Sequence, residues 1–462
     1  MPPLQCRIFV TFTGTAKTNP DSIAMPFRCV CLSIWTLALG FACAQTVAGD
    51  WPQILGPSRN GLAPQETLST AWPTGGPPLL WKRKIGRGYA GIAVRGERAI
   101  LFYRDNRDRK DEEVIEAVHV TDGRSLWKSG IQAHFAPSIF PVEDGPLCVP
   151  LVTENRVFTF GGGGDLAALD LENGRILWNR ALYREYRSRG GSIDFGYFGA
   201  GSAPILEGNR LLVNVGGKQG TGIVAVDATT GKNIWEATDE GASYSAPVAC
   251  TLAGERHVIF VTRYHTISID PQDGHVHFRF PFGRRGPTVN AASPILHDDL
   301  LFTTASYGVG SRLTRIHSEG AEKVWANDRG FASQYNTPIL HRGYLYGTDG
   351  RADLGSASLR CIQMQTGKVM WEVADFGVAA AILADQHLLI IRADGKLILA
   401  PAKPDRFIPQ AEAQVANGTV RALPALSAGR LFIRDQNQVY CYGVGAAYLQ
   451  ASKPAATGGG GS

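Results

Sequence analysis

The chain has 462 residues, 44% of them hydrophobic and 19% charged, with a formal charge of +5. That balance excludes a disordered chain, and so mild a positive charge leaves no electrostatic footprint for nucleic acid. Glycine at 54 residues and tryptophan at 9, against only 4 methionines, favour a turn-rich β protein over a helical one.

The first feature in chain order is an export signal. Arg28 precedes an apolar run from Cys29 to Ala44, of a length suited to a signal h-region and short for a membrane span. Ala42-Cys43-Ala44 is a small-residue cleavage site, which places the mature start at Gln45. The leader reads normally from Met25, an alternative start. Lipidation at Cys43 is a second alternative, although Gly40-Phe41-Ala42 is a poor match to the usual Leu-small-small before such a cysteine. The expected organisation is a signal peptide over 1–44, an N-terminal extension over 45–78, a propeller over 79–446 and a flexible tail over 447–462, which ends in Gly458 to Ser462. No transmembrane segment is expected in the mature chain. Its expected location is the periplasm, the cell envelope or the extracellular space.

A repeat follows. Val120-Thr121-Asp122-Gly123-Arg124-Ser125-Leu126-Trp127 is one copy, and Leu169 to Trp178 and Val226 to Trp235 are the next two. A fourth ends at Phe278 instead of tryptophan. Two more end at Trp325 and Trp371, a degenerate one ends near Phe407, and Trp81 stands alone at the start. The anchors Trp81, Trp127, Trp178, Trp235, Phe278, Trp325, Trp371 and Phe407 recur at intervals of about 36–57 residues, near the length of a four-stranded propeller blade. In each copy the Asp caps a tight turn and the Gly takes a positive φ. An alternating strand then leads to an aromatic ring that would cover the gap to the next blade. Upstream in each unit a small residue, often with a proline, precedes a strand, as in Ser202-Ala203-Pro204-Ile205, Ser245-Ala246-Pro247-Val248 and Asn336-Thr337-Pro338-Ile339. This reads as the innermost strand at a crowded axis. The Trp81 strand lacks three partners. The C-terminal stretch 420–442 has three strands and no anchor, so the two together complete one blade. The expected fold is therefore an all-β, eight-bladed propeller closed by both termini, which leaves no unpaired edge around the ring.

These turn-plus-Trp copies resemble the tryptophan-docking repeats of quinoprotein (PQQ-type) propellers. Trp51-Pro52 with Gly56-Pro57-Ser58-Arg59-Asn60-Gly61 is similar to the opening of secreted PQQ-like repeat proteins. In blade number and repeat the chain is also similar to the outer-membrane assembly factor BamB. The quinoprotein dehydrogenases of this resemblance use adjacent disulfide-bonded cysteines, a calcium ion and an Asp base. No position here matches those groups, so no cofactor is expected, and PQQ with calcium is the alternative. The four cysteines beyond the leader, Cys148, Cys250, Cys361 and Cys441, are widely spaced and form no CxxC pair.

Gly161 to Gly164 and Gly216 to Gly222 lack the following helix that a phosphate loop needs, so they read as hairpin turns. His275 and His277 alternate on one strand without a third ligand in sequence, so no metal site is expected. The topology instead points to one face of the ring as the binding surface. There the loops entering the innermost strands join those between the second and third strands. The candidate ligand-binding residues on it are Tyr89, Arg104, Phe198, Tyr244, His265, Asn290, Tyr335, Asn336, Asp349, Arg351 and Arg434, with Asp105, Arg263 and Asp435 beside them. The long connection from Tyr183 to Gly199, with Arg184, Arg187, Arg189, Asp194 and Tyr197, is a further recognition candidate. No catalytic residue is assigned. The function expected is an exported, monomeric, non-catalytic binding or scaffold module that takes a protein or small ligand of the envelope. The alternative is a PQQ-dependent dehydrogenase.

Overall fold

The computed structural model describes residues 49–105, 111–135, 145–188, 198–286, 288–328 and 330–450. The leader with Met25 and Cys43, the residues Arg189, Asp194 and Tyr197, and the tail after 450 lie outside the described residues.

The repeat turn fixes the local geometry. Asp170 Oδ1 accepts the N–H groups of Glu172 (2.9 Å) and Asn173 (3.1 Å), and Gly174 closes the turn onto the Asp170 carbonyl at φ +74°. Asp227 repeats the pattern with Thr229 and Thr230. In seven of the eight outermost strands the pairing slips at a β-bulge close to the anchor, as between Ala168 and Leu169 opposite Ile176–Ala181. A bulge re-aims the side chain that follows it, and here that side chain is the docking ring.

The units build eight four-stranded antiparallel sheets. Blade 1 comprises Ala93–Arg95, Arg98–Asp105, Glu112–His119 and Ser125–Gln132. Blades 2 to 7 follow over 151–181, 205–237, 248–281, 295–327, 339–373 and 379–414. Blade 8 joins Ala425–Ser427, Arg430–Arg434 and Gln438–Gly443 to the N-terminal strand Leu79–Lys84, with Trp81 opposite Cys441 and Lys82 opposite Tyr440. The two ends of the ring are thus held by one antiparallel ladder, as the strand count in the sequence requires. Among the described residues no helix is long and apolar enough to cross a membrane.

Neighbouring blades are fastened by the anchors. The indole N–H of Trp81 donates to the Val120 carbonyl, Trp127 to Leu171, Trp178 to Ala228, Trp235 to Pro271, Trp325 to Met364 and Trp371 to Lys403, all at 2.9–3.1 Å. Each acceptor lies in the next blade's turn. At Gly174 an added Cβ would sit 2.3 Å from Cε3 of Trp127, so the turn glycine is also the surface on which the ring rests. Phe278 has no N–H to give and packs among Phe280, Leu301 and Ile316. Phe407 differs from its expected place. It lies in the loop before Ala411–Gln414, with its ring 5.5 Å from Trp371 and 5.8 Å from Phe376. Blade 7 has no turn glycine there, so a phenyl ring lies against the blade 6 indole instead. Its own outer strand presents Ala413, which touches Gly76 of the N-terminal extension and shares a core cluster with Trp72.

The first strand of each of blades 3, 4, 5, 6 and 8 begins directly after its proline. A side-chain relay binds these entrances around the ring: Ser202 Oγ donates to the Ser245 carbonyl (2.8 Å), Ser245 Oγ to Ala292 (2.9 Å), and Thr337 Oγ1 accepts the Ser293 N–H (2.8 Å). The N-terminal extension then crosses the axis. Trp51 pairs with Val94 in blade 1, and the Pro52 carbonyl accepts the Val152 N–H of blade 2. Arg59 donates to the carbonyls of Pro204 and Pro247 ahead of blades 3 and 4. Gly61 lies against Ile339 of blade 6, and Ala63 donates to Leu383 of blade 7. Arg59 is buried, and burial pushes its pKa down to about 9, which leaves it charged at neutral pH.

Candidate functional site

Above this crossing segment lies a funnel of about 350 Å³. Ile54 of the extension forms part of its floor. Small and apolar residues at the inner-strand entrances, Gly91, Val149, Gly201, Ala291 and Leu423, form its wall. Tyr89, Phe198, Tyr244, Tyr307 and Tyr335 line it together with Gln334, Asp353 and Arg421. Rings with an apolar body and a polar tip over an apolar wall make a surface suited to apolar and aromatic groups, with a few fixed polar contacts for orientation.

The rim is ordered by its own hydrogen bonds. Tyr244 Oη accepts the Phe198 N–H at 2.7 Å, with the two rings 6.2 Å apart. Gln334 Nε2 donates to Tyr307 Oη (2.8 Å) and Asp353 Oδ1 (3.1 Å), while its Oε1 accepts the Ala352 N–H (2.7 Å). Arg351 lies 4.1 Å over the Tyr307 ring and binds the Asp353 carboxylate. That hydrogen bond holds the Asp353 pKa below the usual carboxylate range, whereas burial pushes the Tyr307 hydroxyl up. Across the mouth, Arg421 stands 5.6 Å from the Tyr89 ring. Leu354, 64% exposed, follows Asp353 at the edge.

Residues 110–373, more than half of the chain, match the family model described as outer membrane protein assembly factor BamB. The chain belongs to the BamB family. A curated BamB from Kangiella koreensis is 26% identical over 195 residues, which are 42% of this chain and 44% of that protein. The match thus spans less than half the length of this BamB relative. Among solved structures, BamB of Moraxella catarrhalis superposes with a TM-score of 0.56 at 14% identity, covering 79% of this chain and 97% of its own. A quinohemoprotein alcohol dehydrogenase of Pseudomonas putida HK5 superposes with a TM-score of 0.61 at 13% identity, covering 88% and 82%. At such identities the superpositions establish the fold alone.

Within this BamB-family ring the sequence-derived candidates separate into two groups. Tyr89, Phe198, Tyr244 and Tyr335 line the funnel, and Arg351 reaches its edge through Tyr307 and Asp353. The others brace the loops and are not among the lining residues. Arg104 is clamped by Asp111 (2.7 and 2.5 Å) and donates to the Phe135 carbonyl. Arg434, 1% exposed, donates to the Ala90 and Phe102 carbonyls of blade 1. Asn290 Nδ2 donates to the Thr262 carbonyl (2.8 Å), and Asn336 is buried, with its carbonyl accepting Ser333 Oγ. Asp349 pairs with Arg360 at 2.6 Å, and His265 Nδ1 lies 3.0 Å from Glu240 Oε2. Arg263 donates to Thr288 Oγ1 (2.7 Å), and Asp435 accepts from Tyr440 Oη (3.0 Å). Buried loop carbonyls and amides demand such partners, so polar residues next to inner strands are drawn into the scaffold.

Sequence reasoning missed Ile54, Tyr307, Gln334, Asp353 and Arg421. Gln334 and Arg421 stand next to or near residues already singled out, whereas Ile54 arrives from a segment remote in sequence. The Gly161 to Gly164 turn holds an internal carboxyl group: the Gly162 N–H donates to Glu113 Oε1 at 2.8 Å, and burial raises the Glu113 pKa to about 7. Among the described residues, two groups of three side chains have metal-ligand spacing. Both contain His277, and neither includes a funnel residue.

Proposed function

We propose that this chain is an exported, non-catalytic scaffold of the cell envelope that acts in outer-membrane protein assembly and holds an apolar or aromatic segment of a protein partner in its floored funnel. The observation that carries this reading is the lining: five aromatic rings, with the Tyr244 and Tyr307 hydroxyls held by hydrogen bonds, over a wall of small residues and Ile54. The BamB family match supports the assembly role, and the export signal supports the location. A quinone dehydrogenase reading is less well supported. The one carboxylate lining the funnel, Asp353, is engaged by Arg351, and no metal-ligand group among the described residues lies there. Cys148, in the segment leading into blade 2, and Cys250, Cys361 and Cys441, in blades 4, 6 and 8, are free and provide no adjacent pair. These residues do not fit a quinone–calcium pair.

The test is affinity capture from an envelope fraction with the wild type and with a Tyr335→Ser/Arg421→Glu double variant. A defined partner should be enriched by the wild type and lose at least about 10-fold of that enrichment in the variant, at an unchanged melting temperature. Capture indifferent to these substitutions, or saturable quinone binding with dye-linked turnover in calcium, would overturn the reading.

A further inference from the structure

The seam between blades 4 and 5 is unlike the other Trp-fastened seams. Its anchor is Phe278, and the turn it faces, His317 to Gly320, lacks the Asp-x-x-x-Gly frame. The outermost strands Val276–Pro281 and Gly320–Asn327 lie directly against each other there. At the same seam His277 is 7% exposed, and neither of its ring nitrogens has a hydrogen-bond partner in the structure. A buried imidazole with both nitrogens unsatisfied calls for a missing ligand. His277 Nδ1 lies 3.6 Å from Glu319 Oε1, which belongs to blade 5. Two ligands of one tetrahedral zinc ion, each about 2.0–2.1 Å from the metal, are separated by roughly 3.3 Å. His275 completes the set: ligand atoms of His275, His277 and Glu319 all lie within 4.8 Å of one another. The His257 ring, 4.0 Å from that of His277, backs it and fixes its orientation.

We propose that His275, His277 and Glu319 bind one zinc-class divalent ion, with water as the fourth ligand, and that this ion fastens blade 4 to blade 5 where the ring has no indole clasp. Two imidazoles and a carboxylate are the donor set such ions prefer over calcium or magnesium. The exposed side of the cluster, His275 and Glu319, gives the ion its path of entry.

The experiment uses the full mature chain, stripped with a chelator and carrying no histidine tag. Zn²⁺ is titrated by calorimetry, and Co²⁺ is used as a spectroscopic probe of tetrahedral coordination. One ion per chain should bind, the Co²⁺ complex should show visible tetrahedral bands, and the ion should raise the melting temperature. Glu319→Gln and His275→Ala alter exposed side chains and should fold normally. Each should weaken binding at least about 10-fold and remove the thermal gain, as loss of one ligand from such a set does. Absence of binding tighter than about 100 µM would overturn the proposal, as would binding unaffected in the Glu319→Gln/His275→Ala double variant. Loss of binding in Glu255→Gln with retention in Glu319→Gln would also overturn it, because the ion would then sit within blade 4 on Glu255, His257 and His277.

Discussion

The seam between blades 1 and 2 and the seam between blades 4 and 5 solve one packing problem in two ways. In the first, the Trp127 indole rests on Gly174 and donates to Leu171, while Ser129 Oγ donates to the Gly174 carbonyl at 2.5 Å. A buried acid adds to this seam, because Glu113 of blade 1 accepts the Gly162 N–H of blade 2. In the second, Phe278 and Phe280 pack on Leu301, Ile316 and Ala321, with no indole donor and no turn glycine beneath a ring. The difference teaches that the docking motif is a pair. Its ring stands on one blade and its glycine turn on the next, and both halves are absent from the same seam. The blade 6–7 seam shows that an indole can dock on a glycine-free turn, since Trp371 donates to the Lys403 carbonyl, whereas a glycine turn without its ring would leave a gap.

The largest way to break the comparison is Trp127→Ala. The ring is 9% exposed, so its removal leaves a cavity and an unpaired Leu171 carbonyl, and should cost about 3–5 kcal/mol in urea unfolding. The next probe is pH. Burial raises the folded pKa of Glu113 to about 7 from its ordinary 4.5, so between these values the native chain holds a proton that the unfolded chain has released. Stability therefore falls as pH rises through that window and levels off above it. The fall should amount to about 3 kcal/mol. Glu113→Gln keeps an acceptor for Gly162 and should remove this slope between pH 5 and pH 8. An unchanged slope would show that the acid is not what makes this seam pH-sensitive. The smallest probe compares two glycines. Gly174→Ala places a methyl against Trp127 at a φ of +74° and should cost about 2 kcal/mol, whereas Gly320→Ala meets no atom within 4 Å and should stay within about 0.5 kcal/mol.

The repeat was legible because its chemistry is local. Asp170, Gly174 and Trp178 fall within ten positions, and each has one physical task. Counting strands against anchors also gave the shared eighth blade, since Trp81 had no partners before it and Gln438–Gly443 had no anchor after it. What stayed hidden depends on cross-blade register. Arg104 and Arg434 look like funnel residues in sequence, yet buried carbonyls such as Phe102 and Phe135 claim them. Phe407 has the right spacing for an anchor, but a loop without glycine carries it to the wrong side of Trp371. His275 and His277 gained a carboxylate neighbour only when the turn holding Glu319 was brought across from the next blade.

The extension that carries Trp51, Ile54 and Arg59 turns the axial opening into a cul-de-sac. Many rings leave a pore through which a chain could be threaded, but here a segment crosses the axis: Ile54 lines the funnel, and Arg59, five residues on, is tied to the Pro204 and Pro247 carbonyls. On the proposed reading, a guest enters and leaves by the same mouth, so the part of a partner that fits is a loop tip or a chain end.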